Sequence, residues 1–146
     1  MVDILIKKKS KSITLPKYES RGASGVDISA HIQKSITIKP NSKAIIPTGL
    51  FLSIPDGYEI QIRPRSGLAA KKSISILNTP GTIDSDYRGE IKVILINLGN
   101  KTFKVEKGSR IAQMVLCPIE KAKIREVEDL EKTYRGSGGF GSTGTK

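Results

Sequence analysis

The feature that most constrains the fold is the repeated alternation of apolar and polar residues in short segments. It is present at residues 35–39, 59–63 and 73–76, where isoleucine occupies every second position. This period of two predicts strands with one buried face. Residues 43–51 and 91–98 are more continuously apolar, as expected of strands that are buried on both faces.

Turn signals separate the predicted strands, at Pro40-Asn41, Pro55-Asp56-Gly57, Pro80-Gly81, Gly99-Asn100 and Lys107-Gly108. Their spacing predicts an all-β domain of the small antiparallel sandwich, jelly-roll or barrel type. Residues 67–72 are predicted to form a short helix. Residues 120–132 carry apolar side chains at helical spacing, but residues 121–127 also fit an edge strand, and the local pattern does not decide between the two.

The length and the charge limit the class of protein. A chain of 146 residues fits one domain with its own core, and a formal charge of +11 indicates an anionic partner such as a nucleotide, a nucleic acid or a membrane surface. Part of the charge lies at Lys7, Lys8, Lys9 and Lys11. Because no aromatic residues interleave with them for base stacking, we interpret this run as a solvated end.

The chain has one cysteine, Cys117, and one histidine, His31. The single cysteine allows no intrachain disulfide and favours a reducing, cytoplasmic setting. Together, Cys117 and His31 cannot supply a zinc site or a Ser-His-Asp or Cys-His mechanism within one chain. We interpret Cys117, which lies in an apolar run, as a buried structural thiol, and His31 as an ordinary surface residue. The N-terminus does not read as a signal peptide, and no apolar run approaches the length of a membrane span, so a soluble protein that is not exported is expected.

Two segments carry candidate anion-binding groups. Residues 63–68 are expected to end a strand and to open the short helix, with Ser66 as its N-cap and the Arg65 guanidinium beside exposed backbone amides. The same residues also fit an ordinary capped helix with surface arginines. Residues 107–114 lead from a turn into a strand, where Gln113 is polar within an apolar run and needs either a structural partner or a ligand.

Polar residues also flank the turn at residues 78–89, at the end of a predicted strand, which is a usual place for functional groups. Asp84 is a candidate general base for activating water, and the Asn78 amide can both donate to and accept from a base edge. Alternatively, the aspartates of this segment only cap turns.

The tail at residues 135–144 is rich in glycine, which lets backbone amides converge on an anion. Arg135 adds a positive charge, and the serines and threonine add hydroxyl donors. A flexible linker has a similar composition. Phe140 argues against that reading, because stacking on a base is a use that a linker does not have. The tail lacks a Walker lysine and is therefore not a P-loop of the NTPase kind.

In order and spacing, five segments resemble the motifs of the trimeric dUTPase family: Ala23 to Ile28, Arg63 to Leu68, Gly81 to Glu90, Gly108 to Met114 and Arg135 to Gly144. The resemblance spans nearly the whole chain. It implies a dUTPase-like jelly roll (β-clip) in residues 1–134 and a flexible C-terminal arm, residues 135–146, that closes over the active site. It also implies a homotrimer in which each active site is shared between chains.

The resemblance further implies hydrolysis of dUTP to dUMP and pyrophosphate by water attack on the α-phosphorus, with Mg²⁺ as the cofactor on the triphosphate. This reaction limits uracil incorporation into DNA and supplies dUMP for thymidylate synthesis. No stable nucleic-acid or membrane partner is expected.

By motif match, the resemblance implies that Asp84 is the general base and that Tyr87 packs against the deoxyribose and leaves no room for a 2′-hydroxyl. Asp27 would take part in the outer water shell of the metal, contacting it through water, or in the polar network near Asp84. The implied substrate-binding residues are Arg65, Ser66, Gly67, Asn78, Gly81, Ile83, Tyr87, Gln113, Arg135, Phe140, Gly141, Ser142 and Thr143. Among them Asn78 would read uracil, Phe140 would cap it, and the arginines, Ser66, Gln113, Ser142 and Thr143 would hold phosphate oxygens.

Two alternative functions share parts of this pattern. The dCTP deaminases have the same fold but place a glutamate on the strand after the third motif, where this chain has Ile94, which offers no carboxylate. A non-catalytic trimer that binds nucleic acid would suit the +11 charge, but such a protein has no need of Asp84 and Tyr87.

Overall fold

The chain folds into short strands joined by turns, with one helix among the residues that the structure describes. The computed structural model describes residues 1–140. The strands are β1 (Leu5–Lys8), β2 (Gly25–Ser29), β3 (Ile36–Ile38), β4 (Lys43–Ser53), β5 (Tyr58–Arg63), β6 (Ile74–Ile76), β7 (Gly81–Ile83), β8 (Glu90–Asn97), β9 (Phe103–Val105) and β10 (Arg110–Pro118). The helix α1 (Ser66–Lys72) lies between β5 and β6. The prediction of an all-β domain with a short helix is confirmed.

The strands pair into three antiparallel sheets within residues 1–140. Sheet A has the strand order β1-β4-β8-β6, sheet B has the order β2-β10-β5-β7, and sheet C pairs β3 with β9. Strands that are distant in sequence are neighbours in all three sheets. Such crossing connections between two larger sheets are typical of a jelly roll.

Isoleucine dominates a single core shared by the two larger sheets. Sheet A contributes Ile46 and Ile91, both 0% exposed, and sheet B contributes Ile28 at 1% and Ile62 at 3%. All four belong to one contiguous apolar cluster. Branched side chains of this kind pack well on the pleated inner faces of sheets, so the core follows directly from the alternating sequence pattern.

An irregularity in the middle of β4, which we call the β4 bulge (Thr48 and Gly49), ties this strand to the start of β8. The register between β4 and β8 shifts there. The buried Thr48 hydroxyl donates to the Ile91 carbonyl at 2.7 Å, and the Gly49 N–H donates to Glu90 Oε1 at 2.9 Å. Gly49 has a φ of +68°, which residues with a side chain rarely adopt. The bulge therefore holds the residues that follow the turn at 84–89.

Asn97, at the end of β8, joins sheet A to sheet C. Its side chain is 0% exposed, and Nδ2 donates to the carbonyls of Ile38 at 3.0 Å and Lys101 at 2.8 Å. Its Oδ1 accepts from the Gly99 N–H at 3.0 Å. Every buried side-chain nitrogen or oxygen within residues 1–140 has a hydrogen-bond partner, as a well-packed core requires.

The structure differs from the sequence prediction at the start of α1. The N-cap is Arg65, in an extended conformation, and no side chain caps the helix; Ser66 is the first helical residue. The Arg65 carbonyl accepts from the N–H groups of Leu68 and Ala69, both at 3.0 Å, so the helix begins one residue earlier than predicted. The interpretation of Ser66 as the N-cap is therefore wrong.

The outer face of sheet A is not buried in this chain. Ile45 on β4 is 59% exposed, so the prediction that the continuously apolar strands are buried on both faces is wrong for β4. The reason is that only the inner face of sheet A meets the core. Residues 120–132, for which the sequence left helix and strand open, form neither and are exposed. Within the part of the chain that is described, no helix has the length and apolar character needed to cross a membrane.

Candidate active site

Asp27, Arg65, Arg110 and Gln113 form a polar group on sheet B, which we call the arginine cluster. Asp27 lies on β2, and Arg65 follows the end of β5. Arg65 Nε donates to Asp27 Oδ1 at 3.0 Å, and Arg110 Nη1 donates to Oδ2 at 3.2 Å. Each carboxylate oxygen thus accepts from a different arginine, and the Asp27 side chain, 22% exposed, fixes the direction of both guanidinium groups.

The Arg65 guanidinium is held at a second point. Its Nη1 also donates to the Arg110 carbonyl at 3.2 Å, and the side chain is 27% exposed. A guanidinium has more N–H donors than these bonds use. Donors on Nη1 and Nη2 therefore stay available for the oxygens of an anion, in the way that the sequence predicts for phosphate.

Gln113 lies on β10 opposite Asp27 on β2 and opposite Arg63 on β5. Its Nε2 donates to the Pro64 carbonyl at 3.0 Å, which links the side chain to the residue before Arg65. A Cβ at Gly25 would overlap Gln113 Oε1, so the glycine leaves the space that the amide fills. The half-buried amide therefore has a structural partner and a fixed orientation.

A second set of predicted residues lies on β7 and the segments on either side of it; we call Asn78, Gly81, Ile83, Asp84 and Tyr87 the hairpin group. A Cβ at Gly81 would lie 3.2 Å from Asn78 Nδ2, so the amide packs against the Gly81 backbone. Asn78 is exposed, and its side chain takes part in no hydrogen bond among the described residues. Its donor and acceptor are thus free for a ligand, next to the half-buried Ile83.

Asp84 and Tyr87 stand at a cavity beyond the end of β7. The Tyr87 N–H donates to the Asp84 carbonyl at 3.2 Å, and the Tyr87 hydroxyl donates to the Glu90 carbonyl, also at 3.2 Å. Together with Glu90 and Lys92 they line a cavity of about 170 Å³. The Asp84 carboxylate is exposed, and the Tyr87 ring is 44% exposed. A carboxylate beside an open aromatic face can take a proton from water next to a bound sugar.

The arginine cluster and the hairpin group are far apart in one chain. Strands β2 and β7 form opposite edges of sheet B, separated by strand spacings that sum to about 14 Å. Ile83 is paired with Ile60 near the start of β5, whereas Arg65 follows its end, so Asp84 and Arg65 are also separated by about 20 Å along the strands. A single chain therefore does not bring these two predicted groups to one phosphorus atom.

The described part of the predicted arm, residues 135–140, makes no hydrogen bond to either group. Arg135 Nε donates to the Gly138 carbonyl at 2.8 Å, within its own segment. The Phe140 side chain is fully exposed. Ser66 and Gly67 are exposed at the start of α1, close in sequence to Arg65. The predicted contacts of Gly141, Ser142 and Thr143 lie outside the described residues.

Two residues that the sequence did not single out take part in these arrangements. Arg110 pairs with Asp27, and Glu90 accepts hydrogen bonds from the Tyr87 hydroxyl and the β4 bulge. Arg110 lies in the segment 107–114, and Glu90 ends the motif from Gly81 to Glu90. Membership of these segments was the only sequence signal that could have indicated the two residues. The bonds of Arg110 to Asp27 and of Glu90 to Gly49 join residues that are far apart in sequence, so no local pattern could assign them.

His31 and Cys117, the other two residues considered in the sequence, lie against neighbouring residues of the fold. His31 is half-buried, with its ring close to Gly49, so its interpretation as an ordinary surface residue is wrong. Cys117 is half-buried, with Arg63 Nη2 3.6 Å from Sγ. Within residues 1–140 there is no group of at least three His, Cys, Asp or Glu side chains placed to hold a metal ion.

Comparison with known proteins extends these local observations to the whole chain. The family model described as dUTPase matches residues 11–144. The chain is 54% identical over 136 residues to the deoxyuridine 5′-triphosphate nucleotidohydrolase of Fusobacterium nucleatum, covering 93% of each protein. It is 55% identical over 138 residues to the enzyme of the same name from Brucella melitensis, covering 93% of this chain and 88% of that one.

A solved structure has the same fold. A mutant dUTPase of Staphylococcus bacteriophage 80alpha, with dUpNHpp, superposes with a TM-score of 0.86 at 28% sequence identity. The match covers 97% of this chain and 98% of that one.

Proposed function

Because the chain belongs to the dUTPase family and is a dUTP diphosphatase, we propose that it hydrolyses dUTP by attack of water on the α-phosphorus in sites shared between chains. The products are dUMP and pyrophosphate. The observation that carries the proposed mechanism is the pairing of an exposed Asp84 carboxylate with the open Tyr87 ring at one cavity.

Asp84 acts as the general base in this proposal. Its carboxylate accepts a proton from water while the water oxygen forms a bond to the α-phosphorus. The bond from that phosphorus to the bridging oxygen breaks, and pyrophosphate leaves with the electron pair. The exposure of Asp84 at the cavity supports this role, because a general base must reach its water within hydrogen-bond distance.

The arginine cluster holds the phosphates. The Arg65 guanidinium is fixed by Asp27 and the Arg110 carbonyl, so it is already oriented before an anion arrives. Ser66 and Gly67 add a hydroxyl and a backbone amide at the start of α1, and the Gln113 amide is bonded to the Pro64 carbonyl just before Arg65. Preoriented donors stabilise developing charge without a cost of reorganisation during the reaction.

The hairpin group recognises the nucleoside. Asn78 offers an uncommitted donor and acceptor to uracil, beside the backbone of Gly81 and the side chain of Ile83. Once a base covers these groups, a base with a different donor pattern would leave them buried without partners, which is a strong source of discrimination. The Tyr87 ring packs against the deoxyribose, where an added 2′-hydroxyl would collide with it.

The C-terminal arm completes the site. Arg135, Ser142 and Thr143 contact the outer phosphates, Gly141 allows close approach of the backbone, and Phe140 covers uracil. The full exposure of Phe140 supports this role, since a large apolar side chain has no partner within the described part of its own chain. Closure of the arm excludes water and strengthens the charge interactions around the phosphorus.

A homotrimer unites these parts. Asp84 and Arg65 are about 20 Å apart along the strands of one chain, so an Arg65 from a neighbouring chain is needed at each Asp84. Unpartnered apolar side chains also support association: Ile45 is 59% exposed, Ile124 is 92% exposed and Leu130 is 86% exposed. Their burial between chains would contribute about 25 cal/mol per Å² of apolar surface.

The donor set at Asp27 fits Mg²⁺ as the cofactor. Mg²⁺ prefers oxygen ligands and keeps several waters, and it is usually bound through substrate phosphates and one or two carboxylates. The arginine bonds leave a second lone pair on each oxygen of Asp27, and the side chain is partly exposed, so water can bridge it to the ion. Bound Mg²⁺ offsets the negative charge of the triphosphate.

The proposed reaction lowers the concentration of dUTP, which limits uracil incorporation into DNA, and it yields the dUMP from which thymidylate is made. The cytoplasmic location expected from the sequence stays a prediction.

The test is a pyrophosphate-release assay with Mg²⁺ and dUTP, dCTP, dTTP or UTP as substrate. We expect release with dUTP and at least about 100-fold lower kcat/KM with the others, because the site matches the donor pattern of uracil and rejects a 2′-hydroxyl. Equal rates with all four nucleotides would refute the assigned roles of Asn78 and Tyr87. Ammonia release from dCTP would instead indicate a deaminase, which the apolar Ile94 argues against.

A further inference from the structure

The position of the Tyr87 ring depends on the absence of a side chain at Gly89. A Cβ at Gly89 would overlap the Tyr87 hydroxyl oxygen and Cζ, and it would lie 2.8 Å from Cε2. Real Cβ atoms do not approach other atoms this closely, and the obstacle here is a stiff ring. A methyl group at this position therefore requires the ring to move.

The outer end of the ring is held by the backbone of Glu90. The Tyr87 hydroxyl donates to the Glu90 carbonyl at 3.2 Å. The loop before it is braced by Arg88, whose Nη1 donates to the carbonyls of Ser85 at 2.6 Å and Tyr87 at 3.0 Å. The ring thus lies in a tight turn, with its hydroxyl fixed to the first residue of β8.

The Glu90 side chain anchors that residue to the next strand. Its Oε1 accepts from the Gly49 N–H at 2.9 Å, at the β4 bulge, and the side chain is 13% exposed. The adjacent bond from Thr48 to the Ile91 carbonyl is fully buried. The ion pair of Glu90 with Lys9 is long, at 3.9 Å, and Lys9 is 60% exposed, so the hydrogen bond to Gly49 is the stronger of the two contacts.

We propose that Gly89 and Glu90 are positioning residues that fix the Tyr87 ring and thereby set the discrimination between deoxyribose and ribose. The inference rests on the proposed contact of Tyr87 with the sugar. The space for a 2′-hydroxyl is closed by the ring, and the ring stays in place because Gly89 lies against it and the Glu90 carbonyl holds its hydroxyl. A displaced ring opens that space.

The experiment measures kcat and KM for dUTP and UTP, together with the thermal midpoint, in the full-length enzyme and its variants. Gly89→Ala is expected to lower the ratio of kcat/KM for dUTP over UTP by about tenfold or more, because a displaced ring leaves space for the 2′-hydroxyl of UTP. Gly22→Ala is the matched control, since a Cβ there meets nothing within 4 Å and the φ of Gly22 is not positive. It is expected to leave the ratio unchanged.

A second pair of variants tests the anchor and keeps the inference testable if Gly89→Ala does not fold. Glu90→Ala leaves the Gly49 N–H without its acceptor and is expected to lower the dUTP:UTP ratio. Glu90→Gln keeps an acceptor oxygen and is expected to restore most of it. A residue that served only stability would lower the thermal midpoint, or both values of kcat/KM equally, without moving the ratio.

The outcomes separate this inference from the proposed function. If Tyr87→Ala leaves the ratio unchanged, the assigned role of Tyr87 in sugar contact is wrong. If Tyr87→Ala lowers the ratio but folded Gly89→Ala and Glu90→Ala do not, the role of Tyr87 stands and the positioning inference is overturned.

Discussion

Asp27 is the residue whose geometry says most about the proposed phosphate-binding end of the site. Its Oδ1 accepts from Arg65, which follows the end of β5, at 3.0 Å, and its Oδ2 accepts from Arg110, on β10, at 3.2 Å. Arginines without such a partner repel one another and sample many rotamers. The carboxylate therefore makes a fixed pair of cationic groups from two flexible side chains before any triphosphate binds.

At the same scale, Asp84→Asn is expected to lower kcat by about 10²–10⁴ while leaving nucleotide affinity largely intact, because the amide cannot accept the proton of water. Steady-state kinetics with dUTP and a direct binding measurement with a non-hydrolysable analogue check this. Asp86→Asn is the control, an exposed aspartate two residues away. Full activity in Asp84→Asn would remove Asp84 from the mechanism.

The sequence indicates candidate site residues where a residue type is unusual for its segment. Gln113 is a polar residue in an apolar run, and Phe140 is a large apolar residue among glycines. Arg110 does not stand out in this way, because its importance comes from Asp27, which is more than eighty positions away and is brought near only by the pairing of β2 with β10. Contacts that depend on strand order cannot be read from spacing along the chain.

Among the elements, β4 and β8 show how an irregular strand supports the site. The β4 bulge breaks the register, yet the Thr48 hydroxyl and the Gly49 N–H are paired with the first residues of β8, and the Gly49 carbonyl accepts from the Lys9 N–H at 2.8 Å. A bulge bends its strand and increases local twist, and such features are frequent next to active sites. Here it sets the position of the chain that follows Tyr87.

Thr48→Val tests this element. The substitution keeps the shape but removes the buried hydroxyl that donates to the Ile91 carbonyl at 2.7 Å and accepts from the Leu50 N–H at 3.3 Å. Leaving both groups unpaired is expected to lower the free energy of unfolding by about 1–3 kcal/mol. Urea unfolding at one fixed protein concentration checks this, since association affects apparent stability.

The control for that measurement is Thr37→Val on the exposed face of β3, where a change within about 0.5 kcal/mol is expected. An equal loss of unfolding free energy in both variants would mean that replacing any strand threonine has this effect, and that the Thr48 bonds at the bulge add nothing to stability.

Most elements could be predicted from the sequence, and the reason is physical. The alternating segments at 35–39 and 73–76 contain β3 and β6, and the segment at 59–63 covers all of β5 except its first residue, since a strand with one buried face imposes a period of two. The bulge was not predicted, although a glycine inside a strand pattern, here Gly49, is a signal for one. The N-cap of α1 was missed because the Arg65 backbone, and not a hydroxyl, begins the helix.

For the molecule as a whole, the separation of the arginine cluster from the hairpin group matters most. Because a shared site takes Asp84 and Arg65 from different chains, mixing two inactive variants tests the prediction of such a site. Asp84→Asn chains and Arg65→Ala chains are each expected to be inactive alone, but random mixed trimers contain sites with both groups intact. About one quarter of the wild-type activity is expected from equal mixing after dissociation and reassembly.

The control mixes each variant with itself under the same protocol. No recovery in the mixed sample, with heterotrimers present by native mass spectrometry, would show that Asp84 and Arg65 act in one chain or in different sites.

Deletion of residues 135–146 is the second test at this scale. The truncated chain keeps every strand of the described structure, so a folded trimer with little activity is expected. Size-exclusion chromatography and the pyrophosphate assay distinguish the outcomes. Failure to assemble would mean that the arm is part of the subunit interface and not a cover for the site.

The exposed stretch from Glu120 to Tyr134, which has neither helix nor strand, connects the last strand to the arm. Such a stretch spans up to about 50 Å when extended, which reaches well beyond the edge of its own sheets. In the proposed shared site this stretch would act as a tether that keeps the arm near the site at an effective concentration in the millimolar range. The arm would then need only weak affinity for the bound nucleotide, and contacts that weak would break quickly enough for product to leave after each turnover.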